Sequence, residues 1–241
     1  MFIFGRQKSA RFYSQLRESR KTLPAIKIEI VKKTTLILVL LFAFKSFSQE
    51  FEGQIKYDIS FKSVDGGKLS NEDLVRKTVG RKSVFVTKKG AYKQITDSNF
   101  MALQIYNPDQ GKLYYQNDTE SDTINYKDVL KWNNENYEYE YEIVKNADTI
   151  LGYICDKLIQ RSKIGEQDFY YNSKLKLNPI HFKNFIAFEK NKVTEIMKSV
   201  FLRSDMRFKN LILSYLATEI NESKISDETF NLPKGKVIIE N

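Results

Sequence analysis

The 241-residue chain has one histidine and one cysteine, so nucleophilic and metal chemistry have few places to reside. His181 stands in "NPIHFKNF", and a Ser-His-Asp triad or a Cys-His pair would have to route through it. No G-x-S-x-G elbow accompanies it, and no spacing in the sequence brings Cys155 beside it. A lone histidine between Ile180 and Phe182 reads first as a packed or half-exposed side chain. Zinc would need carboxylates to complete a site built on one Cys and one His, and no close ligand spacing of that kind exists. No glycine-rich loop of the phosphate-cradling type is present; Gly66-Gly67 is a turn signal. The row Glu138, Glu140 and Glu142 in "YEYEYEI" puts three carboxylates side by side on one strand face. An acid pair acting on a glycosidic bond must instead face across a cleft, so this row reads as a solvated face. The sequence therefore assigns no catalytic residue, no metal ligand and no cofactor.

Aromatic side chains are the more promising chemistry, at 13% of residues. Tyr114, Tyr115, Tyr137, Tyr139, Tyr141, Phe169, Tyr170 and Tyr171 all fall on predicted strands. Strands favour aromatics for packing alone, but the aromatic face of a curved sheet can also line a pocket for an apolar or carbohydrate ligand. If such a concave face exists, Tyr139, Tyr141 and Tyr153 are the ligand-binding candidates, with Trp132 and Phe169 beside them.

The elements that must position these residues are mostly strands. Phe51 to Phe61 alternates apolar with polar residues, as a half-buried strand does. "SNEDLVRKTVG" reads as a short helix, with Ser70 and Asp73 as a capping pair and Gly80 as its stop. Arg81–Thr87 and Ala91–Thr96 flank Lys88-Lys89-Gly90 as a hairpin, and Phe100–Tyr106 and Lys112–Gln116 flank the turn formers of "NPDQG". Tyr137, Tyr139, Tyr141 and Ile143 share one strand face. "TILGYICDKLIQRS" is apolar on both faces and reads as a central strand. Asp168–Leu175 reads as a further strand, Glu189–Val200 as a short helix and Met206–Ile220 as one or two strands; Asn221–Asp227 turns into a closing segment. The predicted class is mainly β (α+β), an antiparallel curved sheet or partial barrel with one or two short helices.

Residues 31–50, "VKKTTLILVLLFAFKSFSQE", carry the signature of a secretory leader. Lys32 and Lys33 form the basic region, Leu36 to Phe44 the apolar run, and Ser46 and Ser48 the small residues before cleavage near Ser48/Gln49. The run is too short to span a bilayer, which needs about 20 apolar residues. Residues 1–30 then read as a mis-assigned, disordered N-terminal extension, 31–48 as a signal peptide and 49–241 as a single β-rich domain. Ten of the 39 Lys and Arg, but only two of the 30 Asp and Glu, lie in residues 1–48, which reduces the net charge from +9 for the whole chain to +1 for the rest. A near-neutral domain has no general electrostatic footprint for phosphate backbones, so nucleic-acid binding is not expected. No cysteine lies at or near Gln49, so no covalent lipid anchor is expected either. Cys155 is expected to be buried rather than bridged to another chain.

The block "ILGYICDKLIQRSKIGEQDFYYN" resembles the central signature of the GLPGLI family of secreted Gram-negative proteins. Gly152, Tyr153, Cys155 and Lys157 match it, and Phe169-Tyr170-Tyr171 takes the place of its aromatic strand. The opening "FEGQIKYDISF" and the closing "LATEINESKISDETFNLPKG" fit as well, and the ending is similar to that of outer-membrane lipoprotein carriers. In place of the Gly-Leu-Pro-Gly-Leu-Ile string stands "LNPIHFKNFIAFE", which makes the resemblance a divergent one. The resemblance implies export, an envelope or extracellular location, and a half-barrel wrapped around a helix; it lends no catalytic residues. The expected function is that of an exported, non-enzymatic domain that binds an envelope partner protein or an apolar ligand on a curved sheet. The alternatives are a hydrolase using His181 or a carboxylate, and a purely structural envelope protein.

Overall fold

The computed structural model describes residues 50–65, 72–118, 120–131 and 137–241. The basic extension 1–30, the leader 31–48, the Ser70 cap and Trp132 lie outside the described residues.

One strand organises the sheet. β1 (Gly53–Ser63) alternates strictly, burying Ile55, Tyr57 and Ile59 while Lys56, Asp58 and Ser60 face solvent. It pairs antiparallel with β2 (Lys82–Lys88) on one side and with β11 (Leu211–Glu222) on the other. From β2 a meander runs outward through β3 (Ala91–Thr96), β4 (Leu103–Asn107), β5 (Lys112–Gln116) and β6 (Thr123–Asp128). A second meander, from β7 (Glu140–Ile150) through β8 (Tyr153–Ser162), β9 (Gly165–Lys176) and β10 (Ser199–Arg207), arrives at β11 from the opposite edge. β12 (Val237–Glu240) lies parallel to β6, and the order across the twelve strands is β12-β6-β5-β4-β3-β2-β1-β11-β10-β9-β8-β7. The fold is thus mainly β, a curved mixed sheet with two short helices, α1 (Glu72–Val79) and α2 (Lys190–Met197). The sequence expectation of a curved antiparallel sheet holds, with the parallel β12 as an addition.

Two tight turns set the register of these meanders. Lys89 (φ 47°) and Gly90 (φ 78°) form the two-residue turn between β2 and β3, and Leu151 (φ 49°) and Gly152 (φ 81°) form that between β7 and β8. Two consecutive positive φ angles define the type I′ hairpin, whose twist matches that of the flanking strands. The reading of "TILGYICDKLIQRS" as a single central strand is therefore corrected. It is the end of the edge strand β7, a turn and the start of β8, and the turn is masked by its apolar member Leu151, which is 48% exposed. α2 is shorter than expected because Ser199 and Val200 already belong to β10, and "MRFKNLIL" breaks into a hairpin between β10 and β11. β6 was not anticipated.

The chain between β9 and β10 forms a helical insert packed on one face of the sheet. Asn178 caps a 3₁₀ turn (Pro179–Phe182) by accepting from the Ile180 N–H at 3.1 Å, a second 3₁₀ turn covers Ala187–Glu189, and α2 follows directly. Phe182 and Phe185 enter the main core with Ile55, Tyr57, Tyr106 and Leu202. Val193 and Met197 of α2 join Leu158, Phe169 and Tyr171 in a second cluster. The Tyr106 hydroxyl donates to the His181 carbonyl at 2.9 Å, pinning the insert to β4, and burial raises its pKa to about 12. Deleting a side chain such as Phe182 from this contact would cost about 3–5 kcal/mol.

Candidate functional site

The insert does not fill the space beneath it. Between α2, its preceding turns and the inner sheet face lies a cavity of about 440 Å³, within the range of small-molecule sites. Tyr57, Phe85 and Tyr92 wall it from β1 to β3, Phe169 and Phe201 from β9 and β10, and Phe182 from the insert. On α2, Lys190, Val193, Thr194 and Met197 line it together, the i, i+3, i+4, i+7 stripe of one helical face. Three apolar cavity-lining side chains are also well exposed: Ile164 (44%), Phe188 (56%) and Phe208 (48%). Ile164 and Phe208 come from the β8–β9 and β10–β11 turns, which abut where Gly165 packs on the backbone of Arg207.

A polar group occupies the end of the cavity nearest the start of α2. Gln160 of β8 is buried, and its Nε2 donates to the Phe188 carbonyl at 3.1 Å and to Tyr141 Oη at 3.3 Å. Tyr141 Oη in turn donates to Glu189 Oε2. Burial, reinforced by Glu189, holds the Tyr141 phenol well above its usual pKa, so this contact is phenol to carboxylate. Tyr139 lines the same cavity, and its hydroxyl is buried with no hydrogen-bond partner among the described residues. Burial and then the Glu189 charge raise the Tyr139 pKa as well. Phe188 and Glu189 both adopt left-handed backbone (φ 51° and 50°), a strain of about 1 kcal/mol or more for each non-glycine residue. That strain turns the chain so that Phe188 stands at the mouth, Glu189 meets Tyr141 and Lys190 opens α2. Lys190 is half-buried, and desolvation against the apolar wall lowers its pKa to about 8, with no carboxylate contributing.

Of the aromatic candidates, Tyr139 and Phe169 line the cavity, and Tyr141 stands one hydrogen bond behind it. Tyr153 packs instead against the main core, and Trp132 lies outside the described residues. The residues of the family-like signature have structural work to do. Gly152 makes the type I′ turn, Cys155 is fully buried with its thiol pKa raised, and Lys157 pairs with Asp168 at 3.3 Å. His181 is not on the cavity wall. It packs over Gly90, where a Cβ would overlap its ring, and its Nε2 lies 3.3 Å from Glu50 Oε1. The Glu138, Glu140 and Glu142 row faces solvent, as its alternation implies. Gln160, Phe188, Glu189 and Lys190 were not anticipated; only Lys190 carried a signal, as a cation heading an otherwise uncharged helical stripe. Among the described residues, no group of three or more His, Cys, Asp or Glu side chains is placed to hold a metal ion.

Fold and site together define a curved-sheet domain enclosing an apolar cavity with a polar end. No protein-family model matches the chain, and no curated protein does. Among solved structures it is similar to PNGF-II in two crystal forms. In the C2 form the TM-score is 0.44 at 15% identity, covering 79% of this chain and 31% of that one. In the P21 form the TM-score is 0.44 at 13% identity, covering 78% and 32%. The chain thus spans about a third of the length of the structures it matches. The comparisons lend no support to the expectation of a non-enzymatic protein. The likeness lends no residue assignments to this chain.

Proposed function

We propose that the chain binds a small apolar or amphiphilic molecule in the cavity between the helical insert and the sheet, as an exported envelope protein of the divergent GLPGLI type. The observation that carries this reading is the cavity itself: about 440 Å³, walled chiefly by apolar side chains, ten of them aromatic, with a buried Tyr139 hydroxyl that has no partner among the described residues. Few polar groups in an apolar enclosure orient a ligand while burial of its apolar surface supplies affinity. The export setting is supported by the leader-like stretch 31–48 and by the Gly152-Tyr153-x-Cys155-x-Lys157 block. Native mass spectrometry of the gently purified full chain is expected to show a co-purifying small molecule that denaturation releases. Nile red should bind with enhanced emission, and Met206→Trp, which narrows the cavity from β10, should reduce it. No bound mass together with dye binding indifferent to Met206→Trp would overturn the reading.

Hydrolysis is the second reading, and one contact favours it. His181 Nε2 stands 3.3 Å from Glu50 Oε1, while Glu50 Oε2 is buried without a partner, the arrangement in which a carboxylate orients an imidazole base. A panel of fluorogenic esters and amides tests it. Turnover lost in both His181→Gln and Glu50→Gln supports this reading, and turnover indifferent to both removes it.

A further inference from the structure

We infer that the ligand carries a single anionic headgroup, a carboxylate in its simplest form, which pairs with Lys190. This inference rests on the cavity being a ligand site and names the class of ligand. Lys190 lines the cavity from α2, and Tyr139 lines it from the approach to β7. Among the described residues no carboxylate contributes to the environment of Lys190, and the Tyr139 hydroxyl is buried with no hydrogen bond.

The other charges on the wall are paired or exposed. Glu189 accepts from Tyr141, and Glu166, which lines the cavity, is paired with Arg161 at 2.8 Å. Arg207 also lines the cavity but is exposed, on the turn side of β10. Lys190 is moreover placed against local preference. It occupies the first turn of α2, where the helix dipole disfavours a cation, and it heads a stripe completed by Val193, Thr194 and Met197. An ammonium held in this setting gains from an anion what the fold withholds, and the aromatic walls take an alkyl or aryl tail.

The test compares dodecanoate with dodecanol as displacers of Nile red from the full chain. Dodecanoate should bind about 10- to 100-fold more tightly, the range of a charge-assisted hydrogen bond in a desolvated site. In Lys190→Met the two affinities should converge through loss of acid binding, while Lys190→Arg should keep most of the preference. Equal affinities in the wild-type chain, or a preference for the acid that survives in Lys190→Met, would overturn the headgroup assignment and leave the cavity reading standing. If neither compound displaces the dye, both readings fall. Should Lys190→Met not fold, the wild-type comparison and Lys190→Arg still decide.

Discussion

Lys157 and Lys190 sit on opposite faces of the same sheet wall. Lys157 projects from the β8 face opposite to Phe169 and the cavity, because its cross-strand partner is Tyr170. There it pairs with Asp168 at 3.3 Å and lies over the Tyr170 ring, and Arg203 of β10 joins the row through Asp205 (2.6 Å) and Asp148 (3.2 Å). The Asp205 hydrogen bond raises the Arg203 pKa, and desolvation raises that of Asp168 against the pull of Lys157. Lys190, inside, has no such partner, and burial alone lowers its pKa to about 8. The outer row is a set of paired charges that spans four strands, β7 to β10. The inner lysine has no ion-pair partner among the described residues, at a cost to the fold that falls as pH rises.

The sharpest break of that contrast is Lys157→Met. Asp168 is mostly buried, and its Oδ1 already has no partner, so removing Lys157 strands a charge in low dielectric. A loss of about 3 kcal/mol is expected in urea unfolding at neutral pH. Because the residual cost is that of ionising Asp168, the difference from wild type should shrink as pH falls toward 4. Lys190→Met should move stability the other way. The folded pKa, about 8, lies below the usual lysine value of 10.5, so the folded state binds fewer protons than the unfolded state between those pH values. The penalty is complete below pH 8 and fades as pH rises toward 10.5. Lys190→Met should therefore stabilise the ligand-free chain by about 1–2 kcal/mol at pH 7, discounted for partial exposure, and by clearly less at pH 9.5. Destabilisation at pH 7 would mean that Lys190 has a partner within the fold.

Most of the wall was legible in the sequence, while the site on it was only partly so. The alternation of "GQIKYDISFKS", the Lys89-Gly90 turn and the helix stop at Gly80 are local signals with local causes, and each appears where expected. The Leu151-Gly152 turn was hidden because its neighbours are apolar for a different reason: Ile150 and Cys155 are buried, whereas Ile154 is exposed. Tyr139 and Phe169 could be picked out because aromatics on a strand of known phase face one side. Gln160, Phe188 and Glu189 could not, since they meet only through the tertiary return of the insert onto β8, from residues 28 positions apart. The left-handed pair Phe188-Glu189 has no glycine or asparagine to announce it. Lys190 was readable in principle, at the head of a helical stripe, but a lysine at a helix end is so often solvated that only the cavity gives it meaning.

Two smaller substitutions sharpen that contrast. Tyr139→Phe removes a buried hydroxyl with no partner among the described residues, so the ligand-free chain should gain about 1 kcal/mol. Loss of stability instead would place a bridging water or protein group on that oxygen. Arg161→Met is the control on the outer face. Arg161 lies on the same strand as Lys157 and makes two short ion pairs, to Glu142 and Glu166, each at 2.8 Å, yet it is substantially exposed. Solvent screens both charges and rehydrates both carboxylates when the guanidinium is removed, so its urea midpoint should be indistinguishable from that of wild type. A loss comparable to that of Lys157→Met would show that the number of ion pairs, not their burial, separates the outer row from Lys190. The comparison would then have to be drawn on pairing alone.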